Sequence, residues 1–158
     1  MNMEHQIAKL NQTRDYLKLG LRYTSDVEVK ASRMKERCLT LKRDEKDPML
    51  YYAYEGVALL CEFIQEGYRI CLTNRVKADE MLEELLDLYL QAGGYTDPLV
   101  KYHMPLLREK LHHPLKETLR VHLAFNPTKD GAYHVFYRLV VQTLNFIFYE
   151  HLTIPSVA

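Results

Sequence analysis

Histidine is the residue type in this sequence with the widest chemical range, because an imidazole can bind a metal ion or transfer a proton near neutral pH. Of the seven histidines, His112 and His113 are adjacent, so on a helix their side chains point about 100° apart. Neither an HExxH helix nor a Cys/His ligand spacing occurs. Four other histidines are isolated: His103, His122, His134 and His151. The sequence therefore predicts no metal site and no cofactor.

Arg108 and His113 are separated by four residues. This Arg-x4-His spacing resembles that of the HEPN ribonuclease families, which are also helical bundles. The resemblance implies an arginine and a histidine at a helix end that cleave RNA without a metal, in a site formed across a dimer. Pro105 and Pro114 flank the pair, whereas the family places it on an uninterrupted helix. A HEPN-like ribonuclease is the alternative function.

Other enzymatic patterns do not occur in the sequence. It contains no glycine-rich phosphate loop, no GxSxG motif and no cysteine with a histidine close by in sequence. Glu83, Glu84 and Asp87 could present carboxylates to a substrate, but we interpret them as a solvated acidic face of a helix. These observations favour a protein without catalytic activity.

Lys30, Arg33 and Arg37 form a basic stripe on the second predicted helix. A groove for nucleic acid favours aromatic side chains between its cations, and this helix has none. The chain as a whole has 21 basic and 21 acidic side chains, so its net charge gives no long-range attraction to nucleic acid. We expect the stripe to pair with the acidic fourth helix, within the domain or across a dimer. Nucleic acid remains the alternative partner of these three cations.

The hydrophobic pattern predicts an all-α fold, a single-domain helical bundle over residues 1–158 with about seven helices. Ser25-Asp26-Val27-Glu28 is a capping-box pattern, and Asp47-Pro48 reads as a cap followed by proline at the first helical position. The predicted helices cover 4–18, 25 to the charged connection 44–47, 48–72, 77–91, a segment from 98 that Pro105 interrupts, a segment from 114, and 132–152.

The third and last helices are the most apolar. The third is predicted to be central, and Gly56 and Gly67 within it predict close approach by another helix. The polar residues of the last helix form one narrow stripe, so a membrane span is not predicted. The rest of that helix either forms the centre of the bundle or covers a core and also a partner. The residues predicted for partner contact are Phe136, Tyr137, Val140, Leu144 and Phe148.

Three cysteines without a CxxC pair, Cys38, Cys61 and Cys71, predict reduced, buried thiols rather than a disulfide framework. The first ten residues contain no apolar run typical of a signal peptide. We therefore expect an intracellular protein, in the nucleus or the cytoplasm.

The segment with Ala31-Ser-Arg-Met-Lys-Glu, the pair Tyr51-Tyr52 and Phe63-Ile64-Gln-Glu-Gly67 resembles the opening helical hairpin of the C-terminal homology domain of the AFF transcription-elongation scaffolds. The hairpin is also similar to microtubule-interacting-and-transport (MIT) and tetratricopeptide (TPR) modules. These resemblances imply TPR/MIT-like helical-hairpin packing and a scaffold that dimerises or holds peptides without catalysis. The function expected from the sequence is thus a non-enzymatic protein–protein interaction domain. Its partner is another protein or a second copy, as a homodimer, bound through apolar helix faces.

Overall fold

The computed structural model describes residues 3–92 and 129–149, and these ranges contain helices and no strand. This confirms the all-α class. The predicted helices that begin at 98 and 114 lie outside the described residues, so the number of about seven stays a prediction. The described helices are α1 (Met3–Lys18), α2 (Ser25–Arg43), α3 (Pro48–Cys71), α4 (Arg75–Gln91) and α5 (Lys129–Leu144), and α5 continues into a π-helical segment, π1 (Asn145–Tyr149).

Side-chain caps set the first residues of α2 and α4. Thr24 has an extended backbone conformation, and its hydroxyl accepts a hydrogen bond of 3.2 Å from the amide of Val27. The prediction that Ser25 is the cap was therefore wrong by one residue, because the threonine already satisfies the third amide of the helix. Asn74 caps α4 in the same way, with its side-chain oxygen accepting from the amide of Lys77 at 3.1 Å. As a result α4 begins two residues before its predicted start.

Helix α3 begins at Pro48, as predicted. The amide of Tyr51 donates to the carbonyl of Asp47 at 2.9 Å, which is the first hydrogen bond of the helix. Proline fits this position because its missing N–H would have had no partner inside the helix.

The core is built around α3, which packs against α2, α4 and α5. Its inward residues Val57, Leu60 and Ile64 are fully buried. Helix α2 is joined to α3 by the connection 44–47 and makes the most extensive contact with it, followed by α5 and then α4. The central position predicted for α3 agrees with this arrangement.

Helix α4 is buried more completely than its sequence predicts. From Met81 to Leu90 every residue except Glu83 is buried, including Glu84 and Asp87. The interpretation of Glu84 and Asp87 as members of a solvated acidic face was wrong. The physical reason is that α4 packs against α1, α3 and α5, so the surface of the helix opposite its leucine stripe is covered as well.

Two tyrosine hydroxyls connect π1 to α1 and α4. Tyr149 donates a hydrogen bond of 2.8 Å to the carbonyl of Leu17, and Tyr89 donates one of 2.7 Å to the side-chain oxygen of Asn145. The rings of Tyr89 and Tyr149 lie 4.9 Å apart between centroids. A buried hydroxyl without a hydrogen-bond partner lowers the stability of the fold. These two bonds therefore favour one packing of π1 against α1 and α4.

Candidate interaction site

Four of the five residues predicted for partner contact lie in the hydrophobic core. Phe136, Val140 and Leu144 are at most 1% exposed, and Phe148 is 9% exposed. Only Tyr137, which is half-buried, keeps part of its surface open. The assignment of these four side chains to a partner surface is therefore corrected. The last helix forms part of the bundle centre, which was the other interpretation of its sequence.

Phe136 shows how closely α5 approaches α3. A Cβ atom added to Gly56 would lie 2.9 Å from Cε1 of this ring, so the ring rests on the backbone of α3. The prediction was close approach by the backbone of another helix at Gly56, and the contact is made instead by a side-chain ring of α5. At Gly67 the neighbour is instead the ring of Tyr23, which comes from the connection between α1 and α2.

The basic stripe on α2 is only partly open to a ligand. Lys30 forms an ion pair of 3.3 Å with Asp26, and its ammonium lies 5.4 Å from the ring centroid of Phe146. Arg33 and Arg37 are exposed. A polyanion could reach two of the three predicted cations, while the third is held within the fold.

Other α2 lysines pair with α3 rather than with α4. Lys35 lies 3.0 Å from a carboxylate oxygen of Glu62, and Lys42 lies 3.7 Å from one of Glu55. The expectation that the acidic fourth helix would neutralise α2 was wrong for these pairs, because the intervening α3 supplies the carboxylates. Pairs this exposed contribute little stability and mainly set the register of the two helices.

The carboxylates of α4 pair with α1. Glu83 accepts from Arg14 at 2.8 Å and lies 2.5 Å from Lys18, and Lys18 also reaches Asp79 at 3.2 Å. The hydrogen bond with Glu83 is the main reason that the pKa of Lys18 is raised, so its ammonium stays charged. These contacts place the end of α1 beside the beginning of α4.

Three strongly exposed apolar side chains lie at this same end of the bundle. Leu19 is 60% exposed, and Leu72 and Val76 are each 73% exposed, the highest values among the exposed large hydrophobic residues of the described ranges. Leu19 directly follows Lys18 at the end of α1, and Lys18 pairs with Asp79 near the beginning of α4. Val76 lies about one helical turn before Asp79. Leu72 lies in the short connection from α3 to α4. We call Leu19, Leu72 and Val76 the apolar end. Sequence reasoning missed it, although leucine and valine on both sides of a predicted turn are a signal.

An open surface pocket of about 220 Å³ adjoins the apolar end at Leu19. Its lining is formed by Asp15, Lys18, Leu19, Leu21 and Arg22. Two leucines and three charged residues line this pocket. A pocket of this kind can accept one apolar side chain of a partner, while charged groups elsewhere on the partner contact the charged residues around it.

The buried thiols and phenols of the described residues are held neutral. Burial raises the pKa of the Cys38 thiol to about 11 and also raises that of Cys61. Burial likewise raises the pKa of Tyr89 to about 12. Because a thiolate is the nucleophilic form of cysteine, these environments do not favour nucleophilic catalysis at Cys38 or Cys61. Both are free thiols, as predicted.

Within residues 3–92 and 129–149, no group of three or more His, Cys, Asp or Glu side chains could hold a metal ion. The helices in that part of the chain also include none that is long and apolar enough to cross a membrane. Arg108 and His113, the residues of the HEPN-like alternative, lie outside the described residues.

No protein-family model, curated protein or solved structure matches this chain. The likenesses to AFF, MIT, TPR and HEPN proteins therefore rest on the residues quoted for them.

Proposed function

We propose that this chain is a non-enzymatic protein–protein interaction domain, which associates with a second copy of itself or with another protein through the apolar end. The observation that carries the proposal is the placement of Leu19, Leu72 and Val76 at one end of the bundle. Single exposed apolar residues are common on protein surfaces, whereas a group of them at one place is typical of a binding surface.

The three apolar side chains are enough to form the centre of a binding interface, judged by the free energy that their burial contributes. Burying one leucine or valine side chain contributes roughly 1.5–3 kcal/mol, and a few such residues usually provide most of the binding energy of an interface. A stable interface covers about 800 Å² on each partner, so the neighbouring polar surface and the pocket must contribute the rest of the contact area.

The packing of α2 along α3 supports the finer proposal of TPR/MIT-like hairpins, in which short connections join antiparallel helices. In that arrangement the helices that begin at 98 and 114 add to the bundle to give about seven. The free cysteines support a location inside the cell, in the nucleus or the cytoplasm.

The test is the absolute mass in solution, measured by light scattering behind a sizing column over a range of concentrations. A homodimer has twice the chain mass of 18.7 kDa. We expect the double variant Leu72→Asp/Val76→Asp to shift the mass towards that of the monomer, with its thermal unfolding unchanged because both side chains are exposed. Val29→Asp/Leu41→Asp is the control with the same number of added charges, since both side chains are also exposed but lie on α2.

Three results would count against parts of the proposal. An unchanged dimer in the double variant would remove the apolar end from the interface. Equal loss of the dimer in Val29→Asp/Leu41→Asp would show a general effect of added charge. A monomer at every concentration in the unsubstituted chain would exclude the homodimer and leave association with another protein.

A further inference from the structure

The contact between α2 and α3 contains two buried cysteines, one from each helix. Cys38 is 5% exposed and Cys61 is 0% exposed, and both belong to the hydrophobic core. This contact is the most extensive one among the described helices. Neither cysteine belongs to the apolar end, so their chemistry is independent of the proposed function.

Two ion pairs set the register of α2 against α3. Lys35 pairs with Glu62 at 3.0 Å, and Lys42 pairs with Glu55 at 3.7 Å. A step of seven residues forward along α2 therefore corresponds to a step of seven residues back along α3. The two helices are antiparallel, and the ion pairs determine which of their residues lie opposite each other.

The same register places Cys38 close to Cys61. Cys38 follows Lys35 by three residues and so lies opposite Leu59, and Cys61 is two residues further along α3. Burial is the main cause of the raised pKa of Cys61, followed by the neighbouring Cys38, which also raises it. Lys35 lowers this pKa and Glu62 raises it. These neighbours indicate that the Cys61 side chain faces α2.

The spacing of packed helices suits a covalent bond at this place. Helix axes in contact lie about 8–10 Å apart and each Cα atom lies about 2.3 Å from its axis, so facing Cα atoms are roughly 3.4–5.4 Å apart. An offset of two residues adds about 3 Å along the axis, which gives roughly 4.5–6.2 Å. The Cα atoms of a disulfide are usually about 4.4–6.8 Å apart.

We propose that Cys38 and Cys61 form an oxidant-responsive dithiol, which hydrogen peroxide converts into a disulfide that joins α2 to α3. The Cys38 thiolate attacks one peroxide oxygen, the O–O bond breaks, and the departing hydroxide takes up the thiol proton to form water. The Cys61 thiolate then attacks the sulfur of the Cys38 sulfenic acid, and the S–O bond breaks to release a second water. The two thiols are oxidised to one disulfide, and the peroxide is reduced to two water molecules.

Burial decides the order and the speed of these steps. Cys38 is the first to react because it keeps a small exposed area, whereas Cys61 has none. Burial raises the pKa of Cys38 to about 11, against the opposing effect of Arg37. The thiolate is therefore scarce at neutral pH, and the dithiol responds slowly to peroxide. A small oxidant can reach such a site, while a bulky one such as oxidised glutathione is excluded by the surrounding core.

The experiment treats the folded full chain with hydrogen peroxide and identifies linked peptides by mass spectrometry after digestion without reductant. We expect one disulfide within the chain, between Cys38 and Cys61, with the loss of two hydrogen atoms from the intact mass. The melting temperature should rise by roughly 5–10 °C, because the bond constrains the unfolded chain, and dithiothreitol should reverse the rise. The initial rate should increase about tenfold per pH unit between about pH 7 and pH 9, in step with the thiolate fraction.

Cys71→Ser is the matched control, since Cys71 is the third free cysteine and its thiol donates to the carbonyl of Tyr68. This variant should form the same disulfide as the unsubstituted chain. Cys38→Ala keeps its site apolar and should form no disulfide within the chain, with circular dichroism as the check that it is folded. The peptide map of the unsubstituted chain identifies the linked residues without any substitution in the core.

Several results would overturn the proposal. A disulfide that includes Cys71, or oxidation of both core thiols without a bond between them, would show that Cys38 and Cys61 do not meet. A link that forms only in denaturant would show the same, as would an absence of reaction with the folded chain at pH 9. Faster crosslinking by oxidised glutathione than by peroxide would overturn the assignment of the oxidant. None of these results changes the test of the apolar end, which is the mass of Leu72→Asp/Val76→Asp in solution.

Discussion

Buried tyrosines in this chain differ in whether their hydroxyls are satisfied. Tyr89 and Tyr149 both donate to oxygen atoms within the fold. The Tyr23 hydroxyl has no hydrogen-bond partner among residues 3–92 and 129–149 and lies against Gly67, and burial raises its pKa. The missing hydrogen bond of Tyr23 is unfavourable, and the packing of its ring against Gly67, which has no side chain, offsets part of that free energy.

At the residue scale we predict that stability falls in alkaline solution. Burial raises the pKa of Cys38 from 9.0 to about 11 and that of Tyr89 from 10.0 to about 12. A group with a raised folded-state pKa contributes its full stabilisation below the unfolded pKa and loses it as the pH rises through the folded value. The melting temperature should therefore be level up to about pH 9 and fall between pH 9 and pH 12.

The measurement is thermal unfolding followed by circular dichroism across this pH range, together with tyrosinate absorbance. Tyr89→Phe should show a shallower fall, since one of the titrating groups is removed. A melting temperature that stays constant or rises above pH 9 would contradict the burial of these groups.

At the scale of single elements, the contact between α3 and α5 depends on the absence of a side chain at Gly56. Alanine is favoured over glycine inside a helix by about 1 kcal/mol. We nevertheless predict that Gly56→Ala destabilises the protein by about 1–3 kcal/mol, because the new methyl group would lie 2.9 Å from the Phe136 ring. Chemical denaturation gives the change in the free energy of unfolding.

The double variant Gly56→Ala/Phe136→Leu tests the assigned cause. In the Phe136→Leu background the added methyl group should cost less, so the two changes should not be additive. Strict additivity, or stabilisation by Gly56→Ala alone, would show that α5 does not rest on this part of α3.

At the scale of the whole molecule, α5 and π1 join the core formed by helices that are distant in sequence. Val140 and Leu144 are 0% exposed. We predict that Val140→Glu or Leu144→Glu unfolds the chain, because a charge buried without a partner costs several kcal/mol and a domain is stable by only about 5–15 kcal/mol. Gln142→Glu adds the same residue at an exposed position of α5 and should leave the fold intact.

Circular dichroism and sizing-column elution distinguish the results. If both core variants kept their fold, α5 would not lie in the core. If they kept their fold but lost a dimer, these side chains would form the partner surface that the sequence suggested.

The sequence by itself predicted the helical class and the central position of α3. Pro48 marked the start of α3, and Gly56 indicated a close contact with another helix, which the Phe136 ring makes. These signals are local: they arise from hydrogen bonds and apolar contacts between residues three or four positions apart, or from the conformational properties of one residue type. For the same reason the sequence predicted the existence of helices more accurately than the exact caps, where Thr24 and Ser25 are chemically equivalent candidates.

Only the tertiary structure decided which surfaces are covered. Phe136 lies in the core rather than at a partner surface, Glu84 and Asp87 are buried, and two α2 lysines, Lys35 and Lys42, pair with α3. A helical pattern shows that a face is apolar or charged, but the element that covers it is set by packing between residues far apart in the chain. The apolar end became visible for the same reason: Leu19 lies more than fifty residues from Leu72 and Val76 in sequence, and the ion pair of Lys18 with Asp79 brings the two segments together.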